Sequence, residues 1–354
     1  MFMNPSHLAR IPAATTCSIS CAFAFAFALG SLLVCAPKVS AQSNAGTTAA
    51  AFLEIPAGAR SIAMGEAYVS MADDASAMYW NPAGITRFTL NQAAFETTEW
   101  FAGTRLTYTA AAVHVGKSTI GASVYMFDGG LMDVTTLTYP DGTGEEFSVQ
   151  DISLGLTYAR ALTESFALGI TAKMVQSRIW RMRANSVALD LGFQYDMPVE
   201  GLRMGFSIRN FGNEMSLSGD NSFVRVDLDP QNAGNNDGIP GNLLLKSWDL
   251  PLIFRLGMDY ALVRTLDHSV RIAADAVYPN NNANYVNAGA EYGFRNVLFL
   301  RAGMSHVFLS ETYGLGRLRA GVGLRVADRI GVDYAYSERG ELGGVNTIAV
   351  SVLF

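Results

Sequence analysis

The stretch Glu164-Ser-Phe-Ala-Leu-Gly-Ile-Thr-Ala-Lys-Met-Val-Gln-Ser177 alternates between large apolar residues and small or polar ones. Every second residue from Phe166 to Met174 is apolar, and the residues between them include Thr171 and Lys173. Because side chains alternate across a β-strand, this spacing predicts a strand with one apolar and one polar face. About fourteen such segments follow one another between residues 91 and 354, so the whole region is expected to be β-structure.

The composition favours strands over membrane-spanning helices. Half of the 354 residues are hydrophobic and only 16% are charged, which is a low charged fraction for a soluble protein. After the N-terminal region, no run of eighteen apolar residues occurs of the kind that a transmembrane helix needs. The apolar residues are therefore distributed by alternation.

Residues 1–41 have the features of a secretion signal. Arg10 precedes an apolar run from Cys21 to Cys35, and a cleavage-site pattern of small residues ends at Ala41. A single helical anchor and a lipoprotein attached through Cys35 are the alternatives. All three cysteines lie in this segment, so the mature chain is expected to form no disulfide and no thiolate metal site.

The charge balance argues against a nucleic-acid partner. Removal of residues 1–41 takes away Arg10 and Lys38, two of the 25 basic residues, and none of the 31 acidic ones, which leaves a net charge of -8. A protein that binds the phosphate backbone would need the opposite sign.

The mature chain divides into residues 42–90, which do not alternate, and residues 91–354, which do. In the second part, tight connections alternate with longer polar ones, which is typical of an outer-membrane barrel with short periplasmic turns and long extracellular loops. The fold class predicted is therefore all-β: a transmembrane, outer-membrane, antiparallel β-barrel of about fourteen strands with an N-terminal plug. The short connections are 116–117, 162–163, 198–201, 264–265, 295–296 and 327–328, and the long ones are 99–105, 128–145, 179–184, 211–250, 279–284, 309–315 and 338–344.

The last predicted strand, 345–354, should close the barrel. In lipid, no water is present to satisfy an open sheet edge, so each strand must pair with two neighbours. The strand ends in Phe354. An aromatic C-terminus of this kind resembles the signal that the outer-membrane assembly machinery reads, and the two expected partners of the barrel are that machinery and the outer-membrane lipid.

A set of charged residues falls on the polar, lumen-facing side of the predicted strands. Both signs are present in near balance, so the side chains could hold one another in place across the lumen, or they could line a polar permeation path. The set comprises Lys173, Asp190, Arg203, Arg209, Arg255, Asp259, Arg271, Asp275, Glu291, Arg301, Arg319, Arg325 and Asp333.

Glycines also recur on the lumen side, which would let another segment approach the wall closely. We therefore expect residues 42–90 to enter the lumen as a plug, with a periplasmic tail as the alternative. Within it, Asp73 and Asp74 offer an N-cap to a short helix that ends before Pro82. Pro82 restricts the preceding Asn81 to extended geometry, and Gly84 would permit a turn into the first strand.

No catalytic constellation stands out in the mature sequence. The three histidines are isolated, and no nucleotide-binding loop, metal-ligand grouping or carboxylate pair occurs at a suitable spacing. No enzymatic activity and no cofactor are therefore expected. The run 227–238 is rich in Asp and Asn, but its spacing departs from that of a calcium loop, so it is either a solvated connection or a calcium site.

Residues 56–84 resemble the opening of the PorV/PorQ family of outer-membrane proteins, which are relatives of the FadL fatty-acid channels. The resemblance is carried by Gly65 in an Ala-Met-Gly-Glu-Ala run, by Asp73 and Asp74, and by the sequence Asn81-Pro82-Ala83-Gly84. It implies a fourteen-stranded barrel whose N-terminal part occupies the lumen.

For function, the resemblance implies two alternatives. A PorV-like protein would be a non-enzymatic component of type IX secretion that binds the C-terminal signal domains of cargo. A FadL-like protein would be a channel for hydrophobic small molecules. The long connection 211–250 favours the first alternative, because long loops tend to carry binding surfaces.

Overall fold

The structure is a computed structural model that describes residues 46–227, 238–307 and 317–354. The predicted signal segment 1–41 and residues 228–237 of the candidate calcium loop lie outside the described residues. No helix in the described part of the chain is long and apolar enough to cross a membrane.

The chain forms a closed antiparallel β-barrel. Among the described residues, its main sheet contains fifteen strands. The two-residue strand β8, Ser218–Gly219, pairs only with the first residues of β6, and the other fourteen strands each pair with two neighbours; pairing of β1 with β17 completes the ring. The predicted fold class is confirmed. The barrel strands are β1 Gln92–Glu99, β2 Arg105–Val115, β3 Ser118–Asp133, β4 Glu146–Ala161, β5 Phe166–Ile179, β6 Met182–Asp196, β7 Leu202–Gly212, β11 Ile253–Arg264, β12 His268–Pro279, β13 Tyr285–Phe294, β14 Leu298–Val307, β15 Leu318–Val326, β16 Ile330–Glu338 and β17 Gly344–Leu353.

Alternation places apolar side chains outside and polar or small ones inside. On β5 and β6, Leu168 and Leu191 are exposed on the outer face, whereas Thr171 and Asp190 are buried in the lumen. These strands pair in register from Phe166 opposite Tyr195 to Ile179 opposite Met182. The outer surface is therefore a band of Leu, Val, Ile and aromatic side chains around a polar interior.

The connections differ at the two ends of the barrel. At one end, which we call the short-turn end, all connections are brief, and the turn 116–117 is an example. At the other, the long-loop end, the connection 213–252 carries β8 Ser218–Gly219 and the hairpin of β9 Phe223–Val226 with β10 Ile239–Asn242. Short 3-10 helices occur in the connections at Phe101–Gly103, Asp220–Ser222 and Gly340–Leu342.

The prediction of a long connection at 179–184 is wrong. Strands β5 and β6 continue to a turn at Trp180 and Arg181, and residues from Met182 onward alternate between buried and exposed positions. The charged residues Arg181 and Arg183 resemble loop residues in the sequence, but Arg181 lies in the two-residue turn and Arg183 lies on the outer, exposed side of β6.

Residues 46–90, which we call the plug, fill the middle of the lumen. The plug contains the 3-10 helices Ala51–Glu54 and Pro82–Arg87 and the short α-helices Ala59–Ala63 and Ala77–Trp80. Most of its side chains from residue 56 to residue 85 are buried, and Trp80 is fully inaccessible. The hydrophobic core of the protein is therefore the contact between the plug and the inner wall.

Candidate functional site: a plugged lumen with two cavities

Inward glycines set how closely the plug meets the wall. A Cβ added at any of eight of them would lie within 3.0 Å of a plug atom. At Gly169 and Gly289 the overlapping atoms are plug main chain, contributed by Pro82 and Met64. Only glycine leaves enough room for such an approach. These eight residues, which we call the glycine girdle, are Gly121, Gly169, Gly192, Gly205, Gly257, Gly289, Gly303 and Gly321 on β3, β5, β6, β7, β11, β13, β14 and β15.

Polar wall side chains hold the plug at the level of the girdle. Asp275 on β12 accepts hydrogen bonds from the main-chain N–H groups of Tyr68 and Val69, at 2.8 and 2.9 Å. Gln194 on β6 donates to the carbonyl oxygen of Ala72 at 2.8 Å. Because the plug has little regular structure, these contacts satisfy main-chain groups that would otherwise be buried without partners.

The predicted motif Asn81-Pro82-Ala83-Gly84 lies where the plug turns back toward the wall. Asn81 is extended and buried; its amide donates to Val69 and Phe193 carbonyls, at 2.8 and 3.0 Å, and its Oδ1 accepts from the N–H of Ala83. Pro82 then begins the 3-10 helix Pro82–Arg87. The motif thus ends one helix, starts the next and pins both to β6.

The expected role of Gly84 needs correction. It does not have a positive φ, so it does not provide a special turn. A Cβ at Gly84 would instead meet the carbonyl of Ala72 and the methyl group of Ala77. Glycine is required there because two plug segments approach each other. In contrast, Gly65 of the same family motif does have a positive φ of 66° and lies against Gly303.

Asp73 and Asp74 contact Arg60 and Tyr68 within the plug. The N-cap of the helix Ala77–Trp80 is Ser76, which makes no side-chain cap bond, so the predicted N-cap at Asp73 or Asp74 is wrong. Asp74 instead accepts from the N–H of Ser76 at 2.9 Å and from the hydroxyl of Tyr68. Asp73 lies in an ion pair with Arg60. Burial raises the pKa of Asp73, but the guanidinium groups of Arg60, Arg203 and Arg325 together outweigh it, and the net shift is downward.

The lumen charges nearest the short-turn end form a connected network. Arg60 of the plug pairs with Glu291 of β13 at 2.8 Å, and Arg301 of β14 pairs with the same carboxylate at 2.7 Å. Arg301 also reaches Asp333 of β16. Asp259 pairs with Arg203 and Arg271 at 3.1 and 3.3 Å, whereas the guanidinium of Arg325 lies 5.3 Å from the ring centroid of Phe299.

The remaining lumen charges lie toward the long-loop end. Lys173 and Asp190 pair at 2.8 Å beside a β-bulge in which Asp190 accepts from the N–H of Asn210. Arg319 donates to Ser305 at 2.9 Å and faces Glu66 of the plug at 3.7 Å. Arg255 and Arg209 are buried against aromatic rings, with Arg209 3.6 Å from the centroid of Tyr79 and Arg255 4.6 Å from that of Trp80.

A charged cavity of about 670 Å³ opens at the short-turn end. We call it the vestibule. Its sides include Arg203, Arg271 and Glu291 of the wall, and its roof is formed by Arg60 and Asp73 of the plug. Most of the charged network therefore borders water at this end of the barrel.

A second cavity, of about 720 Å³, lies at the long-loop end and has a mainly apolar lining, with Asp151 and Lys246 as its charged residues. We call it the upper cavity. Within the described residues it shares no lining residue with the vestibule, and the plug lies between them. Its lining includes Phe52, Ile55, Trp100, Phe127, Met215 and Trp248.

The sequence did not indicate the upper cavity. Its lining comes from the start of the plug, the β1–β2 connection, the upper ends of β3 to β6 and both arms of the connection 213–252. Met215 and Trp248 join these arms through reciprocal main-chain hydrogen bonds of 2.8 and 2.9 Å. The sequence feature that could have indicated this cavity is the presence of large apolar residues in otherwise polar connections, such as Trp100 and Trp248.

The position of Phe354 is defined in the structure, and its role as an assembly signal stays a prediction. Phe354 follows β17, is half exposed, and donates its N–H to the carbonyl of Asn91 at 2.9 Å. Among the described residues, no group of three or more His, Cys, Asp or Glu side chains is placed to hold a metal ion.

Neither a family model nor a curated protein sequence matches this chain. Solved structures do match its fold. The "CymD monoaromatic hydrocarbon channel" aligns with a TM-score of 0.56 and 13% identity over 85% of this chain and 98% of that one. The Pseudomonas putida toluene transporter TodX aligns with a TM-score of 0.52 and 14% identity over 84% of this chain and 96% of that one.

A Pseudomonas aeruginosa FadL homologue also aligns, with a TM-score of 0.50 and 12% identity over 81% of this chain and 96% of that one. At such low identity the matches show the fold alone, and that fold is the one found in FadL-family transport channels. None of these findings supports the PorV/PorQ family in particular, so that family assignment stays a prediction.

Proposed function

We propose that this protein is a non-enzymatic outer-membrane channel that takes up hydrophobic small molecules, and that the upper cavity is its entry site. The single observation that carries the proposal is a cavity of about 720 Å³ with a mainly apolar lining at the long-loop end of a plugged barrel. Burial of apolar surface contributes about 25 cal/mol per Å². A small apolar solute would therefore prefer this cavity to water.

An outer-membrane location accords with the outer surface of the barrel. Large apolar side chains such as Leu156, Leu168 and Val187 are exposed around it, and a band of this kind would be covered by lipid. The long-loop end would then face the cell exterior and the short-turn end the periplasm. In this orientation the apolar cavity receives solutes from outside.

The comparisons favour the channel over the secretion function that the sequence first suggested. The aligned channels are named for monoaromatic hydrocarbons and toluene, and an aromatic hydrocarbon has the size and polarity that the upper cavity would accept. We therefore take toluene as the first probe, without restricting the solute to it.

The test uses tryptophan fluorescence of the purified full chain in detergent. Trp100 and Trp248 both line the upper cavity, so toluene bound there should change the emission saturably. The variant with Trp100→Phe and Trp248→Phe should lose this change, whereas Trp180→Phe, outside the cavity, should keep it. A wild-type response that is absent or does not saturate would refute the proposal.

Type IX secretion remains a second candidate because of the surface at the long-loop end. Phe223 and Leu244, in the connection 213–252, expose most of their side chains, and exposed apolar groups of this kind favour a protein partner. Under this function, secretion components and cargo C-terminal signal domains would bind there. A pull-down with purified signal domains tests it, with Phe223→Ser and Leu244→Ser as the variant that should lose binding.

A further inference from the structure

The contact between plug and wall is not uniform around the barrel. The glycine girdle covers β3, β5, β6, β7, β11, β13, β14 and β15. Strands β16, β17, β1 and β2 contribute no glycine to it, and they are neighbours in the ring, so they form one continuous arc. Within this arc, Ala335 of β16 packs against the plug helix Ala59–Ala63. On the remaining three strands the wall meets the plug through side chains. Ala349 of β17 packs against the same helix, Glu96 of β1 accepts hydrogen bonds from plug main chain, and Tyr108 of β2 donates one to it.

A small cavity of about 50 Å³ lies on this side. It is lined by Ala94 and Glu96 of β1, Tyr108 of β2 and Ala349 of β17, together with plug residues 58–60 and 74–76. It shares residues with the vestibule, among them Arg60 and Arg325. The vestibule therefore extends upward along β17, β1 and β2 as far as Tyr108.

Aromatic side chains separate this extension from the upper cavity. The ring of Tyr108 lies 5.9 Å from that of Tyr125, and Tyr125 lies 5.7 Å from Phe52, which lines the upper cavity. Tyr125 donates to the carbonyl of Ile55 at 2.8 Å, and Tyr108 to that of Ala75 at 3.2 Å. Side-chain rings can move by rotamer changes. In contrast, the girdle contacts at Gly169, Gly205, Gly289 and Gly303 are made by plug main chain, and they can open only if strands or that main chain move.

Glu96 fixes the plug main chain beside these rings. Its two carboxylate oxygens accept from the N–H groups of Gly58 and Ala59, at 2.8 and 2.6 Å. Gly58 has a φ of 99°, which favours glycine. This segment connects the upper 3-10 helix Ala51–Glu54 to the helix Ala59–Ala63, so its position decides whether the small cavity can extend upward.

We propose that solutes pass the plug along β17, β1 and β2, through an aromatic gate formed by Tyr108 and Tyr125, and that Glu96 holds the gate closed by anchoring Gly58 and Ala59. The inference rests on the proposed channel function and adds the route and the residues that control it. Passage then needs a local rearrangement of side chains and of residues 55–59, with the girdle contacts of the plug unchanged.

The test compares two wall residues that anchor the plug on opposite sides. Glu96→Gln weakens the anchor on the proposed route, and Gln194→Ala removes hydrogen bonds to the plug on the girdle side. Passage is measured as toluene uptake by cells that carry the full chain in the outer membrane. Glu96→Gln should raise uptake about tenfold, equivalent to ~1.4 kcal/mol on the barrier, and Gln194→Ala should leave it unchanged.

Three variants test the route itself. Ala349→Leu fills the small cavity and should lower uptake about tenfold. The double variant Tyr108→Ala and Tyr125→Ala should raise uptake, whereas Tyr108→Phe with Tyr125→Phe keeps the rings and should stay near wild type. Folding of each variant is checked by retained β-sheet circular dichroism, and the phenylalanine pair remains informative if the alanine pair does not fold.

KCl conductance in planar bilayers distinguishes a wrong route from a wrong channel function. Ion conductance can be measured whether or not toluene binds to the protein. If toluene does not bind but Glu96→Gln conducts and Gln194→Ala does not, the route stands and the proposed solute is wrong. Equal effects of Glu96→Gln and Gln194→Ala would show that the plug moves as a whole and would overturn the proposal. Unchanged uptake in Ala349→Leu would also overturn it.

Discussion

The two cavities of this barrel lie in one lumen and have opposite chemistry. The upper cavity is lined by side chains such as Phe127 and Trp248, whereas the vestibule is lined by charged groups such as Arg271 and Glu291. The same strands contribute to both ends, so the difference does not come from the barrel pattern. The difference comes from the residues that line the lumen at each end. At the long-loop end these belong to the loops and the start of the plug, and at the short-turn end they are paired charged residues of the wall.

This difference assigns separate tasks to the two ends. Buried ion pairs cost desolvation energy, and they are retained where geometry and further hydrogen bonds compensate for it. At the short-turn end these pairs link Arg60 of the plug to three barrel strands through Glu291, Arg301 and Asp333. The lower end thus holds the plug, and the upper end is free to present an apolar site.

The largest expected effect follows from removing the separation altogether. Deletion of residues 46–80 should join the two cavities into one water-filled lumen, since the girdle glycines leave no side chains to fill it. Planar-bilayer recordings should then show a stable conductance that the full chain lacks. β-sheet circular dichroism must first show that the barrel has assembled. An assembled barrel that stays closed would contradict the assignment of these residues as the plug.

A second prediction tests whether the vestibule charges hold the plug. Glu291→Ala leaves Arg60 and Arg301 buried without their shared carboxylate, and removal of one partner from a buried pair costs about 3–5 kcal/mol. The exposed pair of Asp267 and Arg295 is the matched control, and Asp267→Ala should cost only about 0–1 kcal/mol. Urea unfolding in detergent micelles measures both. Similar losses in the two variants would mean that the network contributes no more than a surface pair.

A third prediction compares one carboxylate placed in each cavity. Ala184 lines the upper cavity and Ser351 lines the vestibule. Ala184→Asp should weaken toluene binding about tenfold, which corresponds to ~1.4 kcal/mol, because a charge in an apolar site must lose hydration when the solute enters. Ser351→Asp, in a cavity that already holds many charges, should leave the affinity unchanged. A fluorescence titration in which Ser351→Asp weakens binding more would place the solute site at the wrong end.

The barrel was predictable because strand alternation is a local property of the sequence. The stretch around Leu168 and the C-terminal strand up to Phe354 each show their inner and outer faces within ten residues or so. The turn at Trp180 was missed for the opposite reason: strands continue beyond the apolar band, where Arg181 and Arg183 look like loop residues.

The site was less predictable because its contacts join distant parts of the chain. The position of Glu291 on the inner face follows from its strand, but its pairing with Arg60 joins residues 231 positions apart. Glu96 showed no distinctive sequence signal, although it anchors the plug at Gly58 and Ala59. The upper cavity likewise forms because Trp100 and Met215, from two separate connections, both line it beside the plug. The alternation of apolar and polar residues does not predict which connections come together.

The central claim is that the plug separates an outward-facing apolar cavity from an inward-facing charged one, and single cysteines test it most directly. Residues 42–354 contain no cysteine; Ser177→Cys reports on the upper cavity and Ser351→Cys on the vestibule. Intact cells are treated with a maleimide that does not cross the outer membrane. We predict labelling at position 177 only, with position 351 labelled after the outer membrane is permeabilised. Labelling of position 351 in intact cells, with or without labelling at 177, would contradict the account.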